Sequence, residues 1–146
     1  MTLLPHAGRL LALDWGEIRI GLAASDETQL LASPLQAVTR RAGKRYPMPA
    51  LLDLVTRNDI VGLLVGLPLT PEGEEGDAAR EARAMGELVA GRAGLPVEYW
   101  DERMTTARAL RSIQEQGGST RGRKEDVDAL AAAVLLQGYL DARRAR

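Results

Sequence analysis

The stretch Leu10–Gly21, Leu-Leu-Ala-Leu-Asp-Trp-Gly-Glu-Ile-Arg-Ile-Gly, decides the expected fold. Its first four residues are apolar and predict a buried strand that ends at Asp14. Gly16 has the backbone freedom that a turn of two or three residues needs, and the alternation from Ile18 to Ala23 predicts a second strand that returns as a hairpin. A carboxylate at the end of a buried strand loses hydration. Asp14 therefore either caps its own turn or is held there for chemistry.

Length and composition limit the class of protein. The chain has 146 residues, which fits one domain over residues 1–146. It has no cysteine, so disulfides, zinc–thiolate sites and thiol nucleophiles are excluded and a reducing compartment is expected. The N-terminus has no basic region before its apolar residues, and no apolar run approaches membrane-spanning length. We therefore expect a soluble, cytoplasmic protein with no membrane partner.

Positive charge is concentrated although the formal net charge is only −1. One segment contains Arg103, Arg108, Arg111, Arg121, Arg123 and Lys124, and the C-terminal end contains Arg143, Arg144 and Arg146. The stretch Gly117–Lys124 has no apolar residue, which predicts a mobile basic loop. Local basic patches can bind nucleic acid despite a neutral total. The candidate residues for this contact are Arg19, Arg103, Arg121, Arg123 and Lys124.

The rest of the chain alternates between strand and helix patterns. The predicted elements are an edge strand containing Pro34 within Leu30–Val38, a helix at Met48–Asn58, a strand at Ile60–Leu67, a helix at Asp77–Gly91, a strand at Pro96–Trp100, a helix from Thr105 or Thr106 to Gln116, and a helix at Glu125–Ala142. A helix between two strands implies a parallel crossover. The order predicts an α/β fold, with a mixed sheet whose first three strands are antiparallel and with helices on both faces.

Three acidic residues begin or end elements that are otherwise apolar: Asp14, Glu102 and Asp128. Ligands of open α/β sheets gather at the carboxyl ends of strands, where Asp14 and Glu102 lie. Asp128 shares a helical face with Ala132 and Leu135, whereas Asp126 lies about 200° round the helix.

Carboxylates that converge in a chain without cysteine suit hard divalent cations. Mg²⁺ and Mn²⁺ prefer oxygen ligands, and two such ions about 3.5–4 Å apart can activate water in phosphodiester cleavage. The alternative is structural, because acids also occur in ion-pair networks and in the first turn of helices, where they interact well with the helix dipole. From the residues alone, both interpretations stay open.

Four blocks of sequence together resemble the YqgF/RuvX family, and they span the chain from about Leu10 to Leu140. The blocks are Leu13-Asp14-Trp15-Gly16-Glu17-Ile18-Arg19-Ile20-Gly21, Val65-Gly66-Leu67-Pro68-Leu69 followed by Glu72-Gly73, Asp101-Glu102-Arg103-Met104-Thr105-Thr106, and Val127-Asp128-Ala129-Leu130-Ala131-Ala132. Four blocks in order are much more specific than any single one.

The resemblance implies an RNase H-like fold, related to the resolvase RuvC, with an acidic site for Mg²⁺ or Mn²⁺. By position, its catalytic and metal-binding acids are Asp14, Glu102 and Asp128, with Asp101 and Asp126 as the alternatives. The family is associated with maturation of the 5′ end of pre-16S rRNA. Its relation to RuvC has also prompted proposals that it resolves Holliday junctions.

Four functions are therefore considered. The leading one is a metal-dependent endonuclease that acts on structured RNA, and the runner-up is cleavage of four-way DNA, which shares the same metal chemistry. A non-catalytic rRNA-binding assembly factor is the third. An actin-like ATP-binding protein is the fourth, and the length of 146 residues argues against it because no second lobe remains to close over the nucleotide. The sequence leaves open RNA or DNA as substrate, Mg²⁺ or Mn²⁺ as ion, and a monomer or a homodimer.

Overall fold

The computed structural model describes residues 4–16, 18–40, 47–104 and 124–145, with backbone only at 104 and 124–126. Its elements are β1 (Arg9–Asp14), β2 (Arg19–Ser25), β3 (Ala32–Thr39), α1 (Met48–Arg57), β4 (Ile60–Leu67), α2 (Asp77–Ala93), β5 (Val97–Asp101), a short 3-10 helix (Glu102–Met104) and α3 (Lys124–Arg144). The predicted helix up to Gln116 and the predicted loop from Gly117 as far as residue 123 lie outside these residues. No described helix has both the length and the hydrophobicity needed to cross a membrane.

The five strands form one mixed sheet in the order β3-β2-β1-β4-β5. β2 is antiparallel to β1 and to β3, whereas β4 is parallel to β1 and to β5. β3 lies at an edge, where Pro34 is tolerated because a missing N–H disrupts no central ladder. The predicted mixed sheet with three antiparallel strands at its start is confirmed.

Helices cover both faces because the strands are apolar on both sides. Leu11 and Leu13 of β1 pack in the core that includes α1 and α2, whereas Leu10 and Ala12 pack against α3. Successive side chains of a strand point to opposite faces, so this alternation assigns every later residue of β1 to a face. Asp14 therefore points to the α3 face of the sheet.

The connection from β1 to β2 differs from the predicted short turn. Residues 15–18 join the two strands, and Ile18 is 62% exposed instead of forming part of β2. Gly16 does not have a positive φ. Glycine is needed there because the Arg19 carbonyl oxygen approaches so closely that a Cβ would lie 2.5 Å from it. Trp15 is buried on the α1 and α2 face. Trp15 continues the side of β1 that carries Leu11 and Leu13, so the chain reverses only after this buried residue.

Candidate active site

Asp14 lies at the carboxyl end of β1, between two glycines. It pairs with Gly21 of antiparallel β2 on one side and with Gly66 of parallel β4 on the other. Asp14 is buried, with only 3% of the residue exposed. Paired residues of neighbouring strands point to the same face, so neither neighbour places a side chain beside the Asp14 carboxylate. The sheet thus leaves room for this acid on its α3 face.

The same two glycines allow α3 to approach the sheet closely. A Cβ on Gly21 would overlap the backbone carbonyl oxygen of Asp128, and a Cβ on Gly66 would lie 2.8 Å from Cδ2 of Leu135. Both positions therefore exclude any larger residue unless the helix moves. The N-terminal part of α3, which carries Asp128, is held directly over the strands that flank Asp14.

Glu102 follows β5 as the first residue of the 3-10 helix and is 2% exposed. Its Oε2 atom lies 3.5 Å from the position that a Cβ on Gly66 would occupy. In the sheet, Gly66 pairs with Asp14 on one side and with Trp100 on the other. The structure therefore brings the Asp14 and Glu102 side chains to the same glycine on the same face.

Asp101 lies on the opposite face from Asp14. It is two residues after Tyr99, which packs against the core of α1 and α2. Its carboxylate accepts hydrogen bonds from the Arg103 backbone N–H at 2.9 Å and from the Arg103 guanidinium at 2.8 to 3.1 Å. These bonds to Asp101 raise the pKa of Arg103. The structure does not bring Asp101 together with Asp14, although it follows the same strand as Glu102.

Arg103, a predicted nucleic-acid contact, also holds the loop that follows β4. Its Nη1 donates to the Pro71 carbonyl at 3.3 Å. Its guanidinium packs against Gly73 so closely that a Cβ there would lie 3.2 Å from Nη2. Gly73 has a φ of +85°, which favours glycine. Arg103 therefore links this loop to the end of β5 through bonds within the protein.

Asp128 lies in the first part of α3 and its side chain is 13% exposed. It shares a helical face with Ala132 and Leu135, which are fully buried against the sheet. Its Oδ2 accepts a hydrogen bond of 2.6 Å from Nε of Arg19, another predicted nucleic-acid contact. The structure thus places Asp128 on the sheet-facing side, as its spacing predicts, and pairs it with a cation.

The remaining predicted site residues lie at or beyond the limits of the described structure. Arg121 and Arg123 are outside the described residues, and Lys124 is the first residue of α3 with its side chain undescribed. The side chain of Asp126 is also outside the description. Their predicted roles therefore stay predictions.

The donor chemistry of the site fits a hard divalent cation. Asp14 and Glu102 supply carboxylate oxygens from two almost fully buried residues on one face of the sheet, and hard divalent cations prefer such oxygen ligands. Within the described ranges, no three His, Cys, Asp or Glu side chains form a group that could hold a metal ion. The carboxylates of Asp14 and Glu102 fit such an ion as oxygen donors, and Asp128, whose Oδ2 is bonded to Arg19, is held by α3 over the strands beside Asp14.

Arg40 supports this site from the other face and was missed by the sequence reasoning. Its guanidinium lies 5.2 Å from the centroid of the Trp15 ring and donates to the Gly16 carbonyl at 3.2 Å. It also forms an ion pair of 3.4 Å with Glu81 of α2. The connection that follows Asp14 is therefore tied to α2. The only sequence signal is an arginine directly after an edge strand, and its partner Glu81 is 41 residues away.

Comparisons of sequence identify relatives over almost the whole chain. The RuvX family model, described as Holliday junction resolvase, matches residues 8–142. A protein of Anaeromyxobacter sp. (strain Fw109-5) named "Putative pre-16S rRNA nuclease" is 43% identical over 137 residues, which cover 94% of this chain and 99% of that protein. A protein of the same name from Symbiobacterium thermophilum is 45% identical over 139 residues, covering 94% and 95% respectively.

Comparison of structures supports the same fold. T. thermophilus RuvC in complex with a Holliday junction substrate matches with a TM-score of 0.56 and 19% identity, covering 93% of this chain and 96% of that one. A second structure of Thermus thermophilus RuvC matches with the same TM-score, at 18% identity, and covers 94% and 96%. These likenesses show the RNase H-like fold. The family-model match over residues 8–142 and the relatives of 43% and 45% identity show that the chain belongs to the RuvX family.

Proposed function

We propose that this chain is a single-domain, divalent-metal-dependent endonuclease that cleaves phosphodiester bonds of structured RNA, with maturation of the 5′ end of pre-16S rRNA as its role. The observation that carries the proposal is the pair of buried acids, Asp14 and Glu102, that the fold brings to Gly66 on one face of the sheet. The name of the two relatives favours an rRNA substrate, which would be met in the cytoplasm.

In this proposal the acids, the glycines and Arg40 have different tasks. Asp14, Glu102 and Asp128 would hold Mg²⁺ or Mn²⁺, which when bound activates a water molecule and stabilises the departing oxygen. Gly21 and Gly66 keep side chains out of the space beside Asp14. The Arg40 bond to the Gly16 carbonyl supports the connection that follows Asp14. Protein groups placed in advance in this way need no rearrangement during the reaction.

The test compares two substrates under three metal conditions. Purified full-length protein is incubated with pre-16S rRNA and with a four-way DNA junction, in Mg²⁺, in Mn²⁺ and in EDTA. We expect cleavage of the rRNA with either ion and none in EDTA. Resolution of the junction alone would favour the runner-up function, which the fold likeness to RuvC bound to a Holliday junction supports. Binding of rRNA without cleavage in any condition would favour a non-catalytic assembly factor.

The substitution Asp14→Asn tests the role of the metal site in cleavage without disturbing the fold. The change removes one charge from the acidic pair and keeps the size of the side chain, so we expect loss of cleavage with an unchanged or higher melting temperature. Asp53→Asn is the matched control, because Asp53 lies on α1 in an exposed ion pair with Arg57. It should cleave normally. Full activity of Asp14→Asn would rule out the proposed site.

A further inference from the structure

The ion pair between Arg19 and Asp128 joins β2 to α3 beside the candidate metal site. Arg19 Nε lies 2.6 Å from Asp128 Oδ2, and the two side chains are 20% and 13% exposed. Arg19 is two residues before Gly21, so its side chain points to the same face as Asp14. The Arg19 guanidinium is therefore bonded to Asp128, one of the three acids that the family resemblance assigns to the metal site.

The backbone around this pair has little freedom to move. Gly21 packs against the Asp128 carbonyl so closely that no Cβ would fit between them. Ala132 and Leu135, one and two turns further along α3, are fully buried. Close-packed interiors resist displacement of a whole element. The Asp128 carboxylate can therefore change partner only by rotation of side chains.

We propose that Arg19 is a positioning residue that holds Asp128 while the site contains no metal and releases it when a divalent cation binds, so that Arg19 sets the metal affinity. This inference rests on the proposed function. A dication and a guanidinium compete for the same carboxylate oxygens, and two cations at this distance repel each other. Loss of the Arg19 charge therefore strengthens binding of the ion.

Metal affinity is the first measurement. Full-length wild type, Arg19→Gln and Arg57→Gln are titrated with Mn²⁺ alone, and free Mn²⁺ is followed by its EPR signal. We expect Arg19→Gln to bind Mn²⁺ on the order of tenfold more tightly. Arg57→Gln is the matched control, because Arg57 pairs with Asp53 at 2.7 Å on the far face of the sheet, and its affinity should equal that of wild type. Arg19→Lys keeps the charge and should restore most of the wild-type affinity.

The second measurement follows the ion pair directly. The Nε–H signal of Arg19, assigned by its absence in Arg19→Gln, is followed by NMR while Mg²⁺ is added. We expect this signal to leave its ion-paired position at saturating Mg²⁺, while that of Arg57 stays unchanged. An Arg19 signal that stays fixed, or an Arg19→Gln affinity equal to or weaker than wild type, would overturn the inference.

Failure of the proposed function has a different signature. If neither substrate is cleaved and Asp14→Asn binds Mn²⁺ as wild type does, the acidic site itself is misassigned. If wild type cleaves and Asp14→Asn loses Mn²⁺, but Arg19→Gln leaves Mn²⁺ affinity unchanged, only the role of Arg19 is refuted.

Discussion

At the scale of single residues, the two faces of the sheet separate acids that are neighbours in the sequence. Glu102 reaches over Gly66 on the α3 face, whereas Asp101 is on the other face and accepts four hydrogen bonds from Arg103. An acid on the opposite face of the sheet cannot share a metal ion with Asp14, whereas one on the same face can. The geometry therefore favours Glu102 over Asp101 as the partner of Asp14 in the proposed site.

The two acids of α3 can be separated by experiment. Asp128 faces the sheet and bonds Arg19, whereas Asp126 is two residues earlier and about 200° round the helix. We expect Asp128→Asn to abolish metal-dependent cleavage and Asp126→Asn to keep most of it. Loss of an acid from the first turn of a helix costs about 0.3–1 kcal/mol of stability through the helix dipole. Nuclease assays and thermal melts on both variants make the comparison, and the reverse pattern of activity would move the assignment to Asp126.

The positions of these acids at the ends of buried elements could be predicted from the sequence, but the residues they bond to could not. Asp14 was found because a charge follows an apolar strand, and that rule needs no knowledge of distant residues. The partner of Asp128 is Arg19, which is 109 residues away, and that of Arg40 is Glu81. Such pairs depend on how strands and helices are stacked, which no local pattern records. Arg19 and Arg103 were predicted as contacts to nucleic acid, and both bond acids of the protein itself.

At the scale of elements, hydrophobic periodicity located the described strands and α-helices, but not the short 3-10 helix at Glu102–Met104. β4 was predicted at the residues where it occurs, Ile60–Leu67, because its near-continuous apolar run suits a strand covered on both faces. The predicted length of the connection after β1 was wrong, because Trp15 is packed into the core and Ile18 is left outside the strand. Turn length depends on such tertiary packing, which periodicity does not contain.

The contact between α3 and β2 gives a prediction at this scale. Gly21→Ala would place a Cβ into the backbone oxygen of Asp128, so α3 must shift. Overpacking of this kind costs about 1–3 kcal/mol, and we expect that loss of stability in urea denaturation. The displaced Asp128 should also lower cleavage more than the loss of stability alone explains.

Gly91→Ala is the matched control for this change. Gly91 lies in the last turn of α2, and a Cβ there meets no atom within 4 Å. The same substitution should stabilise the protein by about 0.5–1 kcal/mol, because alanine loses less backbone entropy in a helix. If Gly21→Ala were as stable as wild type, the close contact between α3 and β2 would be wrong.

At the scale of the whole molecule, Arg143 and Arg144 connect the end of α3 to distant parts of the chain. Arg143 donates to the Pro5 carbonyl at 3.0 Å, and Arg144 donates to the Gln29 carbonyl at 3.0 Å. Arg143 also bonds the buried Tyr139 hydroxyl. The sequence showed these residues only as a cluster of positive charge. Because their hydrogen bonds tie α3 to the N-terminal segment and to the turn between β2 and β3, they are poor candidates for phosphate contacts.

The basic stretch before α3 is then the main candidate for binding the nucleic-acid backbone. A chain with a net charge of −1 attracts phosphates only through local clusters, and Arg121, Arg123 and Lys124 lead directly into the helix that bears Asp128. Neutralising all three to glutamine should weaken binding to every RNA sequence tested. The slope of log affinity against log salt should flatten by the equivalent of up to about three phosphate contacts.

The control for this triple variant removes the same charge from elsewhere. Arg57, Arg80 and Arg92 are exposed on α1 and α2, across the sheet from α3, and their change to glutamine alters net charge equally. Long-range effects of net charge would flatten both slopes alike, whereas direct phosphate contacts flatten only the first. Filter binding of pre-16S rRNA in EDTA, from low to physiological salt, measures the slopes without cleavage. Equal slopes for the two triple variants would show that the basic stretch is not the phosphate-binding surface.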